Sequence, residues 1–248
     1  MLAFGRTDKG IVRKDNQDHF QIEELESDKL LVAAICDGMG GARAGNVASK
    51  LATETFIRAL SGEPGSLTVD ELLGDAMTDA MMAANRVVYE MAKTQKGYKG
   101  MGTTLVGVVL SKKKDAWKAA IINVGDSRAY LISGGQMRQI TKDHSLVEDM
   151  VSRGDITREE ALHHPSRNLI TRVVGTEPEV SRDLFRMDLN PGDRILLCSD
   201  GLTNLMNDEE LFEEVRHHED LEKCCDMLIT LALAKGGPDN VTVLMLGV

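Results

Sequence analysis

Cysteine is scarce in this sequence, and the positions of the four cysteines exclude a disulfide framework. Cys224 and Cys225 are adjacent, while Cys36 and Cys198 lie inside apolar runs. The chain also lacks the Cys-x-x-Cys spacing that zinc sites use. We therefore interpret all four as small buried residues of a protein in a reducing compartment.

Positive charge is sparse as well. The formal net charge of the 248 residues is -10, and the longest basic run is Lys112-Lys113-Lys114. Such a chain has no electrostatic support for binding nucleic acid or an anionic membrane. No segment resembles a signal peptide, and no apolar stretch approaches the roughly 18 residues that span a bilayer. We expect a cytoplasmic protein with no nucleic-acid or membrane partner.

The pattern of apolar residues predicts packed sheets flanked by helices. Short runs rich in Val, Ile and Leu predict strands at 30–36, 103–110, 116–124, 128–132, 183–189, 193–199 and 241–247. Helical spacing of apolar residues predicts helices at 44–60, 69–95, 208–217 and 219–235. Helices that come in separated pairs argue against a doubly wound parallel sheet. With 42% hydrophobic residues, we expect residues 1–248 to form a single domain.

Four aspartates stand where apolar runs stop or start: Asp37, Asp126, Asp200 and Asp239. At the ends of buried strands, four carboxylates in one cleft would repel one another strongly. A positive group must therefore lie among them. Hard divalent cations prefer carboxylate, carbonyl and water oxygens, so this pattern predicts a Mg²⁺ or Mn²⁺ site.

Arg13 is a candidate phosphate ligand beside such a site, because a guanidinium group can donate two parallel hydrogen bonds to phosphate oxygens. Two other phosphate-binding arrangements fail on spacing. A Gly-x-Gly-x-x-Gly loop would need glycine where Arg43 stands. A cysteine-nucleophile phosphatase would need a cysteine five residues before an arginine, whereas six residues separate Cys36 from Arg43.

Taken together, these stretches resemble the metal-dependent protein phosphatase family (PPM, also called PP2C) in its compact bacterial form. The resemblance extends over nearly the whole chain, from the first predicted strand to the last. The matching stretches are 13–18 (Arg-Lys-Asp-Asn-Gln-Asp), 37–41 (Asp-Gly-Met-Gly-Gly) with Gly45, Ala48 and Ser49, 101–105 (Met-Gly-Thr-Thr-Leu), 123–128 (Asn-Val-Gly-Asp-Ser-Arg), 141–145 (Thr-Lys-Asp-His-Ser), 196–203 (Leu-Leu-Cys-Ser-Asp-Gly-Leu-Thr) and 237–242 (Gly-Pro-Asp-Asn-Val-Thr).

The resemblance implies an α+β fold, a four-layer α-β-β-α sandwich of two packed antiparallel sheets flanked by helix pairs. It implies two core Mn²⁺ or Mg²⁺ ions and a weaker third. Asp37 would bridge the core pair, the Gly38 carbonyl would bind one of those ions, and Asp200 and Asp239 the other.

Other residues match the family's outer positions. Asp18 would hold a metal-bound water without binding an ion itself, Asp126 with Asp200 matches the third site, and Arg13 matches the phosphate-binding arginine. Residues 145–168 match a variable flap, with Asn168 near the third site.

The activity that follows is hydrolysis of phosphoserine and phosphothreonine proteins by attack of a water molecule that two metal ions activate. No covalent phospho-enzyme is needed. Family members often carry a histidine shortly after the Asp-Gly pair, where this chain has Met39. The acid that protonates the leaving group is therefore open, with a water on a metal ion or His144 as alternatives.

We expect a monomer that opposes a bacterial Ser/Thr kinase. Two alternatives stay open: a phosphatase dedicated to one small stress-signalling regulator, and an inactive relative that only binds phosphoproteins. The complete set of four aspartates argues against the inactive relative.

Overall fold

The computed structural model describes residues 1–26, 29–41, 44–62, 74–113 and 116–248. Eleven strands are present in these ranges. They are β1 (Leu2–Asp8), β2 (Asp18–Glu26), β3 (Leu30–Met39), β4 (Gly102–Thr103), β5 (Leu105–Lys113), β6 (Ala116–Val124), β7 (Arg128–Ser133), β8 (Gln136–Gln139), β9 (Asp183–Leu189), β10 (Arg194–Cys198) and β11 (Val241–Gly247).

Seven α-helices lie in the same described ranges. They are α1 (Ala44–Ser61), α2 (Asp75–Thr94), α3 (Leu146–Arg153), α4 (Arg158–Leu162), α5 (Asp200–Thr203), α6 (Asp208–His217) and α7 (Leu221–Ala234). The predicted pairs of long helices are confirmed as α1 with α2 and α6 with α7, and each pair packs together. Residues 69–73 of the predicted second helix lie outside the described residues.

The strands form two antiparallel sheets. One has the order β1-β11-β10-β7-β8, and the other has the order β2-β3-β5-β6-β9, with the two-residue strand β4 paired to β3. Consecutive strands of a sheet pair throughout in antiparallel register. The antiparallel pairing confirms the prediction that the fold is not a doubly wound parallel sheet.

The two sheets pack face to face, and a helix pair covers the outer face of each. The run 30–36 of strand β3 is apolar without interruption because both faces of the strand are buried. Its side chains alternate between two clusters: Leu31, Ala33 and Ile35 pack between the sheets, whereas Val32, Ala34 and Cys36 pack against α1 and α2. A third cluster joins α6 and α7 to the other sheet. The resulting order of layers is α-β-β-α, as the resemblance implied.

Several predicted bounds agree with the structure, and others need correction. Strands 116–124, 183–189 and 241–247 and helix 208–217 were predicted with the observed limits. Strands β1, β2 and β8 were not predicted, and the predicted strand 103–110 joins Thr103 of β4 to β5, which are separate strands. The apolar run at 30–36 ends before its strand does, because β3 continues to Met39 by pairing with β4.

The remaining sequence predictions concern cysteines, membranes and the flap. All four cysteines are free and buried. Within the described residues, no helix is long and apolar enough to cross a membrane. The segment 145–168, called the flap here, contains the short helices α3 and α4, and Ser145 caps the first by accepting a hydrogen bond from the Glu148 backbone N–H.

Candidate active site

An open cleft of about 690 Å³ brings together residues that are far apart in the sequence. Arg13, Asp37, Gly38, Asp200 and Asp239, all predicted to be site residues, line this cleft. Asn168, at the end of the flap, lines it as well. Asp18 and Asp126 are not lining residues and lie buried, with 6% and 8% of their surface exposed.

The backbone of Asp37 is fixed by two neighbouring threonines. Its N–H donates to Thr104 Oγ1 at 2.9 Å, and its carbonyl oxygen accepts from Thr103 Oγ1 at 2.8 Å. Thr104 Oγ1 also shares a 2.8 Å hydrogen bond with Ser127, the residue after Asp126. The hydroxyl of Thr104 therefore connects the backbone that carries Asp37 to the turn that carries Asp126.

Asp37 does not end its strand, which corrects the sequence-based expectation. Gly38 and Met39 continue β3 by pairing with Thr103 and Gly102. Gly38 also lies so close to the start of α1 that a Cβ atom there would overlap the Gly45 carbonyl oxygen. Glycine is required at this position because only a residue without a side chain allows this approach.

Asp18 connects the two sheets. It belongs to β2, and its Oδ2 atom accepts hydrogen bonds from Ser199 Oγ at 2.8 Å and Thr242 Oγ1 at 2.7 Å. Ser199 directly follows β10 and Thr242 lies in β11, and both strands belong to the other sheet. These contacts fix the carboxyl group behind the cleft. Ser199, just past the end of β10, thus acts as a hydrogen-bonding residue.

Three aspartates carry a buried oxygen without a hydrogen-bond partner among the described residues: Oδ1 of Asp18, Asp126 and Asp200. Asp200 is the first residue of α5, and its other oxygen accepts from Asn204 at 2.9 Å. Buried acceptors without a donor are rare and costly, and a bound ion or an ordered water is the usual explanation. The donor set fits a hard cation, because every candidate ligand is an oxygen.

The acidic side chains do not form a closed cage. In the part of the chain that the structure describes, no group of three or more aspartate, glutamate, histidine or cysteine side chains lies close enough together to hold a metal ion. Asp37, Asp200 and Asp239 instead line an open cleft, whereas Asp18 and Asp126 are buried and are not among its lining residues. This arrangement fits ions such as Mg²⁺, which keep several water ligands and need only one or two carboxylates each.

Burial and mutual repulsion raise the pKa of these carboxyl groups. Burial raises the pKa of Asp18 to about 6, and the charges of Asp200 and Asp239 contribute. Burial also raises the pKa of Asp37, Asp126 and Asp200. The charges of nearby carboxylates add to the rise at Asp37 and Asp126, and the charge of Asp239 adds to it at Asp200, where hydrogen bonds with Asp37 and Asn204 oppose it. A cation among them would offset this repulsion and keep the groups ionised at neutral pH.

Arg13 is engaged with a proposed metal ligand. Its Nη2 atom donates to Asp239 Oδ2 at 2.7 Å, and this ion pair raises the pKa of Arg13. Asn240 holds Arg13 next to Asp239. Its side chain accepts from the Gln17 N–H and donates to the carbonyl oxygens of Lys9 and Asp15, which ties the loop 9–17 to the Asp239 turn.

His144 lies outside the cleft, and both of its ring nitrogens have partners. Nδ1 accepts from the Gly125 N–H at 3.1 Å, and Nε2 is 3.1 Å from Asp183 Oδ2. Burial lowers the pKa of His144. The structure therefore does not favour His144 as the acid for the leaving group.

Sequence reasoning had assigned no role to Thr103, Thr104, Asn240 or Thr242. They are not among the expected ion ligands, but their hydrogen bonds position Asp37, Arg13 and Asp18. Each one lies in a stretch that carries the family resemblance, and this location was the only signal of their importance. Their partners are distant in the sequence, as for Asp18 and Thr242, which are 224 positions apart.

Comparisons with known proteins agree with this fold and cleft. A family model described as Protein phosphatase 2C matches residues 11–232. The serine/threonine phosphatase stp of Listeria innocua is 38% identical over 245 residues, covering 99% of this chain and 95% of that protein. The crystal structure of the serine/threonine phosphatase Stp1 from Staphylococcus aureus has a TM-score of 0.90 and 38% identity, covering 99% of this chain and 94% of that one.

A further solved structure shows the catalytic domain of the serine/threonine protein phosphatase PstP in complex with two manganese ions. It has a TM-score of 0.82 and 36% identity, and the match covers 98% of this chain and 96% of that one. The chain therefore belongs to the protein phosphatase 2C family. Within that family it is a serine/threonine phosphatase, an enzyme that acts on phosphoproteins.

Proposed function

We propose that this phosphatase depends on Mn²⁺ or Mg²⁺, with two core ions and a weaker third. The observation that carries the proposal is the set of buried, unpartnered carboxylate oxygens on Asp200, which lines the cleft, and on Asp18 and Asp126, which do not. The two manganese ions bound by the related PstP domain support the same assignment.

Each ion would be held by a different subset of the acidic residues. Asp37 and the Gly38 carbonyl, with Asp200 and Asp239, would hold the core pair. Asp126, together with Asp200, would hold the third ion, and Asp18 would hold a water ligand of the core pair. When bound, such ions lower the pKa of a shared water toward neutrality and offset charge on the phosphoryl oxygens.

The residues of the chain itself would bind and orient the phosphate. Arg13 uses Nη2 for Asp239, but a guanidinium group has five N–H donors, so others can reach phosphate oxygens. The contact with Asp239 places this charge next to the proposed ions. Asn240 restrains the loop that carries Arg13, which lowers the entropic cost of orienting the substrate.

The surface around the cleft fits a polypeptide substrate. Ile11 and Val12, immediately before Arg13, are 66% and 67% exposed, and Leu169 on the cleft wall is 53% exposed. Exposed apolar side chains next to a site commonly mark contacts with a protein. We infer that phosphoserine and phosphothreonine proteins bind here, that a bacterial Ser/Thr kinase supplies them, and that residues 1–248 act as a monomeric single domain.

A matched pair of variants tests the role of the acidic cleft. Asp200→Asn removes one anionic ligand with little change in shape, whereas Asp188→Asn changes an exposed aspartate on β9 that does not line the cleft. We expect Asp200→Asn to lose detectable hydrolysis of a phosphopeptide and to keep its circular dichroism spectrum. Asp188→Asn should keep full activity. Wild-type turnover by a folded Asp200→Asn variant would refute the proposal.

A further inference from the structure

His144 exchanges two hydrogen bonds with the residue that precedes Asp126. The His144 N–H donates to the Gly125 carbonyl oxygen at 3.0 Å, and the Gly125 N–H donates to His144 Nδ1 at 3.1 Å. His144 is only 4% exposed, so its ring has little freedom to move. The turn that carries Asp126 is therefore held by both the backbone and the side chain of this histidine.

The second ring nitrogen contacts a different part of the molecule. Nε2 lies 3.1 Å from Asp183 Oδ2 and 2.9 Å from Arg172 Nη1, and Arg172 Nη1 donates to Asp183 Oδ1 at 3.0 Å. Because Nδ1 accepts a hydrogen bond, a neutral ring carries its proton on Nε2 and donates it to Asp183. Arg172 Nη1 is also a donor, so it contacts Nε2 without a hydrogen bond and is held through Asp183 instead. Asp183 thus contacts both the His144 ring and the Arg172 guanidinium group, with which it forms an ion pair.

Arg172 belongs to a wall of the cleft. Leu169, Ile170 and Val173, on either side of it, line the cleft. The backbone of this segment is also attached at His144, because the Thr171 N–H donates to the His144 carbonyl oxygen at 2.8 Å. One residue therefore contacts both the Asp126 turn and the segment 169–173, called the cleft wall here.

We propose that His144 is a positioning residue with two separate tasks: Nδ1 orients the turn that carries Asp126, and Nε2 orients the cleft wall that contacts the substrate polypeptide. The inference about catalysis rests on the proposed function, in which Asp126 serves the third ion. The structural part does not, because both contacts exist within the chain alone. This positioning role differs from proton transfer to the leaving group, since neither ring nitrogen of His144 faces the cleft.

Two conservative substitutions separate the tasks. Asparagine places an oxygen at the position of Nδ1, so His144→Asn keeps an acceptor for Gly125 and loses the contact with Asp183. Glutamine reaches the position of Nε2, so His144→Gln keeps that contact and loses the acceptor for Gly125. His217→Asn and His217→Gln, on the exposed surface of α6, are matched controls.

The first readout is amide hydrogen exchange on the metal-free protein without substrate. We expect His144→Asn to speed exchange in peptides that cover 169–173 and to leave those that cover 124–127 unchanged. His144→Gln should give the reverse pattern, and the His217 controls should change neither. This readout is independent of metal ions and turnover, so it stands even if the proposed metal mechanism fails.

The second readout is kinetic and separates positioning from general loss of packing. His144→Asn should raise KM for a phosphopeptide about three- to tenfold, the effect of losing one hydrogen bond, while hydrolysis of an aryl phosphate stays near wild type. His144→Gln should instead raise the Mn²⁺ concentration needed for full activity. The same exchange pattern in both variants, or no local change in either, would overturn the inference.

Discussion

Asp18 and Asp37 lie directly opposite each other on the antiparallel strands β2 and β3. Side chains in such a pair share one face of the sheet, and like charges in this arrangement destabilise it. Hydroxyl groups of Ser199 and Thr242 satisfy one oxygen of Asp18. No such donor reaches its Oδ1 atom from the described residues. A cation near Asp37 would explain why the fold contains this repulsive pair.

The Asp18–Asp37 pair predicts opposite effects of one substitution on the metal-free and metal-bound protein. Asp18→Asn removes the repulsion while its amide oxygen can still accept from Ser199 and Thr242. The melting temperature without metal should rise by up to about 4 °C, and the further increase on adding Mn²⁺ should be smaller than in wild type. Differential scanning fluorimetry measures both, with Asp188→Asn as control. A metal-free protein of unchanged or lower stability would show that the repulsion is not significant.

Arg13→Ala should weaken capture of the phosphate more than it changes the metal site. A hydrogen bond to a charged group is worth about 1.5–3 kcal/mol, so KM for a phosphopeptide should rise roughly tenfold to a hundredfold. Mn²⁺ affinity, measured by calorimetry, should be at least as high as in wild type, because Asp239 loses a competing partner. Arg13→Lys keeps the charge but not the planar guanidinium group, so its KM should lie between those of wild type and Arg13→Ala. A KM within error of wild type would exclude Arg13 as the phosphate ligand.

Asp126→Ala should separate the third ion from the core pair. Asp126 is buried on the turn after β6, whereas Asp37 belongs to β3, Asp200 to α5 and Asp239 to the loop before β11. Tight Mn²⁺ uptake should therefore persist while a weaker binding event disappears. The rate should fall most on phosphoproteins, whose alkoxide leaving group needs a proton, and less on an activated aryl phosphate. An equal loss on both substrates would indicate damage to the core pair.

Stabilisation by Mn²⁺ should increase with pH. The raised pKa values of Asp18, Asp37, Asp126 and Asp200 mean that these groups bind protons more tightly in the folded state. Without metal, their contribution to stability is fully present below about pH 4, the ordinary pKa of Asp, and is lost as the pH rises through the folded values, about 6 for Asp18.

Mn²⁺ competes with the same protons, so its effect on melting temperature should be larger at about pH 7.5 than at about pH 5.5. Burial lowers the pKa of His19 and His144, which acts in the opposite direction. Their contribution cancels when metal-bound and metal-free samples are compared at each pH. If Mn²⁺ raised the melting temperature equally at both pH values, the ions would have to bind away from these carboxylates.

Strands buried on both faces could be predicted from the sequence because they are continuously apolar, as β6 and β11 are. β1 and β2 were missed because each is an edge strand with polar side chains, such as Arg6 and Glu23, among the apolar ones. The short β4 has no apolar run at all. Local patterns thus predict the central strands and the edge strand β9, but they miss the edge strands β1, β2 and β8.

The site divides in a similar way. Arg13 and the lining aspartates could be found because each stands beside a strand or in a recognisable stretch. The bond from Thr242 to Asp18 and the ring contacts of His144 could not, because they depend on how two sheets and a loop pack. The shift of Asp37 from the end of β3 to its interior likewise depends on pairing with β4.

Dependence on a divalent ion is the central claim, and one titration tests it most directly. Metal should be stripped from the wild-type protein with EDTA, and hydrolysis of a phosphothreonine peptide should be followed as Mn²⁺ is added back. We predict no turnover above background in excess EDTA and full recovery with Mn²⁺, because every proposed ligand is an oxygen that binds hard ions exchangeably. Undiminished turnover in excess EDTA would contradict the account.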